Sequence, residues 1–102
     1  MSIKYLGTKD LEDLEVANLK KIAEQGHNKL KKYVSQLGDI ELTVNIKTIN
    51  DEGRAKVFEV FLKLSSKDKS KTFDVRNEEW DIKKALHGAF AALESYVEHS
   101  LK

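Results

Sequence analysis

An α+β fold, ordered β-α-β-β-β-α with two helices packed on one face of a small, mostly antiparallel sheet, is predicted by three observations. Apolar residues recur every second position in 40–47 and 55–64, they recur every third or fourth position in 11–37 and 82–101, and short polar turns join the alternating runs. Strands joined that way pair antiparallel, and each helix must bury its single apolar stripe against the same sheet face.

Ile3-Lys4-Tyr5-Leu6, closed by Gly7, reads as a short edge strand. From Asp10 the rhythm changes to Leu11, Leu14, Leu19, Ile22, Ala23, Leu30, Val34 and Leu37, the stripe of an amphipathic helix. Thr8 or Asp10 is placed to cap that helix, acids in its first turn suit the positive end of the dipole, and Gly38 is placed to stop it.

Ile40, Leu42, Val44 and Ile46 then alternate with Glu41, Thr43, Asn45 and Lys47, a strand with one buried face. Asn50-Asp51-Glu52-Gly53 supplies turn chemistry, and the run from Ala55 to Leu64 sets Phe58, Val60, Leu62 and Leu64 against Glu59, Phe61 and Lys63 to complete a hairpin. A polar connection over 65–70 leads to a shorter strand, in which Phe73 and Val75 alternate with Thr72, Asp74 and Arg76. Asn77 is expected to cap the last helix, whose stripe is Ile82, Ala85, Leu86, Ala89, Phe90, Leu93, Val97 and Leu101. A glycine inside a helix costs about 1 kcal/mol relative to alanine. Gly26 and the Gly88-Ala92 edge are therefore expected where the two helix backbones approach closely.

A chain of 102 residues is the size of one domain, so 1–102 is read as a single α+β unit. Without cysteine it has no disulfides and no thiolate ligands, which suits a cytoplasmic setting. Met1 to Thr8 lack the apolar run of a signal peptide or anchor, and no stretch approaches the roughly 20 apolar residues of a membrane helix. A soluble protein with no membrane partner is expected.

Its net charge of +1 conceals a division along the chain. Residues 16–76 hold 13 Lys and Arg against eight Asp and Glu, and acids dominate on either side. If the fold gathers that excess on one surface, a polyanion fits there; otherwise the charges form a solvated face.

Catalysis finds no candidate in this sequence. His27, His87 and His99 have no neighbour at ligand spacing and are expected at the surface, so neither a metal nor another cofactor is expected. There is no Gly-rich phosphate loop, and Glu78, Glu79 and Asp81 are explained by the first turn of the last helix. A small-molecule substrate is likewise not expected.

The cations offer more. Lys20, Lys21, Lys31 and Lys32 fall on or beside the polar side of the first helix, and Lys47, Lys63 and Arg76 fall on strand faces opposite the core. Arg54 and Lys56 flank the hairpin turn, Lys67, Lys69 and Lys71 lie in the connection after it, and Lys83 and Lys84 open the last helix. Phosphate binding needs distributed positive charge of this kind rather than a precise motif. Phe61 stands on the outward strand face, where it stacks on an unpaired base, fills a protein interface or packs against neighbouring strands.

The element order, the opening strand closed by Gly7 and the stretch Asp81-Ile82-Lys83-Lys84-Ala85-Leu86-His87 together resemble the ribosome hibernation-promoting and ribosome-associated inhibitor family. There the last helix opens with a pattern like Asp-Met-Tyr-x-Ala-Ile-Asp, matched here at Asp81 and Ala85, with Lys83 at the Tyr position. The resemblance implies a fold related to double-stranded-RNA-binding domains. It also implies a non-enzymatic stress-response protein that occupies the decoding channel of the small ribosomal subunit and inhibits translation. Ribosomal RNA contacts would fall on Lys20, Lys21, Lys31 and Lys32, supported by Lys47, Arg54 and Arg76. In the family the last helix is usually basic along its exposed side, whereas Ala92, Glu94 and Glu98 stand there here, which implies weaker or different docking through that helix. The other partner expected is a second copy or another protein, held through the outer sheet face or an edge strand with Phe61 and Ile49 as apolar contacts.

Overall fold

The computed structural model describes residues 2–33, 38–50, 56–66 and 71–101. Its elements are β1 (Ser2–Leu6), a 3-10 turn (Thr8–Asp10), α1 (Asp13–Leu30), a second 3-10 turn (Lys31–Tyr33), β2 (Ile40–Asn50), β3 (Lys56–Ser66), β4 (Thr72–Glu79) and α2 (Ile82–Ser100). This is the predicted order. The strands form one sheet in the order β1-β2-β3-β4. β2 and β4 both pair antiparallel with β3, as expected, and β1 pairs parallel with β2. The parallel pairing follows from the chain path, because α1 carries the chain back along the sheet before β2 begins.

Strand alternation sets the layers. Leu42, Val44 and Ile46 of β2 face the same side as Val60, Leu62 and Leu64 of β3, and all are buried. Leu19, Ile22, Ala23 and Leu30 of α1 close on that surface together with Ala85, Leu86, Ala89, Leu93 and Val97 of α2. Fully burying each large side chain contributes about 1.5–3 kcal/mol, so this one layer carries most of the stability. Leu14, counted in the first-helix stripe, is instead 72% exposed, because its five-residue step to Leu19 turns it off the buried face. Val34 and Leu37 lie outside the described residues, as do Asp51, Glu52, Gly53, Arg54 and Ala55 of the hairpin turn and Lys67 and Lys69 of the next connection.

Three sequence expectations about helix ends are corrected. The N-cap of α1 is Glu12, not Thr8 or Asp10; it forms a capping box with Glu15, whose carboxylate accepts the Glu12 backbone N–H at 2.9 Å. The α-helix ends at Leu30 and tightens into the 3-10 turn that buries Tyr33, well before Gly38. Asn77 does not cap α2. Pairing with Val60 draws it into β4, which also takes Glu78 and Glu79 out of the helix, and Asp81 caps instead, its carboxylate accepting the Lys83 N–H at 2.9 Å.

Two glycines serve close approaches. Gly7 takes a left-handed φ of 78°, and a Cβ there would stand 2.0 Å from the Ile46 carbonyl oxygen. Gly7→Ala therefore meets both backbone strain and a clash with backbone, and we expect a loss of about 3 kcal/mol in urea-unfolding stability. Gly26 lies at the helix contact, where a Cβ would meet the Phe90 ring at 2.3 Å, so what it admits is an aromatic ring. Gly88 is not at that contact: it faces β4 and leaves room for Asn77, whose Nδ2 donates to the Ala85 carbonyl at 3.1 Å.

Candidate nucleic-acid interface

The helices run side by side in the same direction, with Gly26 against Phe90 and Lys32 bonded to Glu94 further along. Between their solvent sides runs a groove of about 510 Å³, lined in part by Gln25, Gly26, Asn28, Lys29, His87 and Glu94. A smaller concavity of about 240 Å³ is shared by Asn18, Lys21, Gln25, Lys83 and His87. Two cations from different helices, Lys21 and Lys83, thus meet at one site although 62 residues apart in sequence.

The four lysines assigned to the first helix are all exposed and separate onto two flanks. Lys21 and Lys32 lie toward α2, with Lys29 between them along the groove. Lys20 and Lys31 lie about 100° around the helix from these, on the flank of Glu24 and His27. Lys32 is already engaged: its Nζ donates to Glu94 Oε1 at 2.9 Å and stands 5.2 Å from the Tyr33 ring centroid. The hydrogen bond to Glu94 raises its pKa. Lys84 is exposed on α2, Lys56 reaches Glu12 at 3.9 Å, and Arg54 lies outside the described residues.

Lys47, Lys63 and Arg76 project from the opposite face of the sheet, where carboxylates match them. Lys47, Glu59 and Glu78 share one row across the strands, and Lys63 stands opposite Asp74. Arg76 pairs with Glu59, Nε to Oε2 at 3.3 Å, and its guanidinium carbon lies 5.9 Å from the Phe61 centroid. The basic middle of the chain is therefore divided between two faces. Acidic residues gather where both helices begin, around Asp13, Glu15 and Asp81, as the dipoles favour.

Sequence reading passed over several residues. Lys29 and Gln25 stand eight and four positions after Lys21, which is helical spacing along one line and was visible in the sequence. Trp80 is 67% exposed just past β4, and Tyr96 packs edge-on to Phe73 at 5.2 Å; no local pattern marked either.

Histidine placement is a further correction. His87 and His99 are exposed, but His27 is buried against the core with Nε2 unpartnered. Burial first, and then the Lys31 charge, lower its pKa from 6.5. The unfolded chain thus takes up a proton at a pH where the folded chain does not. Stability should be flat in this residue above pH 6.5 and fall as pH drops below it. Urea melts between pH 7.5 and 5 should show a decline that His27→Gln reduces. Among the described residues no group of three His, Cys, Asp or Glu is placed to hold a metal ion, and no helix is long and apolar enough to cross a membrane.

With this geometry in hand, comparison with known proteins bears on the fold. A ribosomal subunit interface protein from Coxiella burnetii matches over 100% of both chains with a TM-score of 0.65 at 15% sequence identity. The N-terminal domain of Thermus thermophilus Protein Y matches over 97% of this chain and 96% of its own, with a TM-score of 0.63 at 18% identity. This chain has their fold. The resemblance read from element order and from Asp81 to His87 is borne out at that level. No protein-family model matches the chain, and no curated protein does.

Proposed function

We propose that the protein is a non-enzymatic, cytoplasmic RNA binder that docks on the small ribosomal subunit through its helical face and represses translation from the decoding channel. The observation that carries this reading is the groove between α1 and α2, flanked by Lys21, Lys29 and Lys83, on a chain that shares its fold with a ribosomal subunit interface protein. Exposed ammonium groups from two rigid helices suit phosphates spaced along an RNA backbone, and Asn18, Gln25 and Asn28 add neutral donors between them. Lys20, Lys31 and Lys84 extend the positive surface to either side. Glu94 and Glu98 reduce it toward the end of α2, so docking is led by α1 and the first turns of α2.

The test is co-sedimentation with purified small subunits across a salt series. With about four phosphate contacts, the logarithm of the binding constant should fall with the logarithm of salt at a slope near −3 to −4. Competition with messenger or transfer RNA supports the decoding channel as the site. Absence of binding at low salt overturns the reading.

A second reading, a protein interaction module, rests on the outer sheet face, which carries Phe61 and the exposed Leu6 and Ile49 and where the charges balance. A dimer insensitive to salt and lost on Phe61→Glu would establish it.

A further inference from the structure

The outer sheet face holds a second concavity, of about 510 Å³, remote from the helices. Two neighbouring rows of the sheet build it: Asn45, Phe61 and Arg76 in one, Thr43, Lys63 and Asp74 in the next. Phe61 is on an inner strand, so its ring lies within the face and not at the edge. Glu59 is only 8% exposed despite belonging to this face, and it holds Arg76 through Nε, placing the guanidinium over the Phe61 ring with its terminal nitrogens outside that ion pair. Lys63 and Asp74 are direct cross-strand partners of opposite charge and form no ion pair with each other. Both heads thus remain available, side by side in the row next to the Phe61 ring.

These groups complement one chemistry: a π-face for stacking, an acceptor pair for a polar edge, and cations for a phosphate. The carboxylate decides which base. Guanine presents two adjacent N–H donors, at N1 and N2, to a carboxylate, whereas adenine and uracil place ring or carbonyl acceptors beside a single donor.

We propose that this face binds a guanine base, stacked on Phe61 with Asp74 accepting N1–H and N2–H, and with Lys63 and Arg76 toward its phosphate. The base belongs to a free guanine nucleotide or to single-stranded RNA, and the recognising chemistry is the same. The site goes beyond ribosome docking and does not depend on it, since the helical face contributes none of its residues.

Amide chemical-shift titrations of the full chain with GMP, AMP and UMP, and with short oligoguanylate and oligoadenylate, test it. GMP or oligoguanylate should move the amides of Asn45, Phe61, Lys63 and Asp74. Asp74→Asn should lower guanine affinity roughly 10- to 100-fold, to the level of adenine, and Phe61→Ala should weaken all bases. Both side chains are on the solvent side of the sheet, and an unchanged far-UV circular dichroism spectrum will confirm that each variant folds. Saturation by GMP identifies a free-nucleotide site; response to oligoguanylate alone identifies RNA; either supports the proposal. Lys21→Glu with Lys83→Glu should leave it intact, so loss of ribosome binding with retained guanine binding separates the two readings. Equal affinity for GMP and AMP, unmoved sheet amides at millimolar ligand, or sheet amides that respond only to protein concentration, as a second copy would make them, overturns it.

Discussion

Reversing Lys21, Lys29 and Lys83 to glutamate together is expected to lower small-subunit affinity by at least about 100-fold at low salt and to flatten the salt dependence. A hydrogen bond to a charged partner contributes about 1.5–3 kcal/mol, so losing even two such phosphate contacts reaches that figure, and three new carboxylates add repulsion. The effect on folding should be small, since all three side chains are exposed and none takes part in an ion pair within the described residues. A matched variant with Lys20 and Lys31 reversed probes the other flank of α1. Greater loss from the first variant, measured by co-sedimentation, places the docking surface at the groove. Greater loss from the second moves it toward β1, and equal retention by both removes the helical face from the reading.

Leu62→Ala is expected to destabilise the fold by about 3–5 kcal/mol and to lower the melting temperature by roughly 15 °C or more. Leu62 is fully buried on an inner strand, paired with Val44 on one side and Val75 on the other and covered by the helices. Neighbours fixed by strand pairing on both sides cannot collapse into the space, so the cavity term is added to the lost transfer energy. Against the 5–15 kcal/mol typical of a domain this size, much of the folded population's margin would disappear. Calorimetry and urea unfolding both read it. A cost below about 1 kcal/mol would mean that the core repacks around this position, and the tight two-layer arrangement would need revision.

Both outcomes depend on a distinction that runs through the molecule. Which residues face the core was legible from local periodicity. In β2 and β3 the side-chain period of two assigned the buried apolar residues correctly, though not buried Glu59 and Ser66, and in α2 the stripe from Ile82 to Val97 is buried throughout. Those assignments also fix the layers, because a sheet with one apolar face and two helices with one stripe each have a single economical way to exclude water. The outward position of Phe61 and of the sheet cations belongs to the same category.

Tertiary structure decided what depends on the partner of an element and not on its own pattern. Asn77 looks like a cap until β4 pairs with β3 and takes it into the sheet. His27 has the composition of a surface residue, yet its angle around α1 turns it inward. Lys21 and Lys83 meet because two parallel helices pack side by side, and Lys20 and Lys31 are turned away by a rotation of about 100°. Glu59 is nearly buried on an outward sheet face, where it pairs with Arg76 from the next strand. Periodicity is a property of neighbours in the chain, so sequence alone determined the layers and the buried faces. Charge clusters and caps are set by register and helix rotation between distant segments, and only the folded structure determined those.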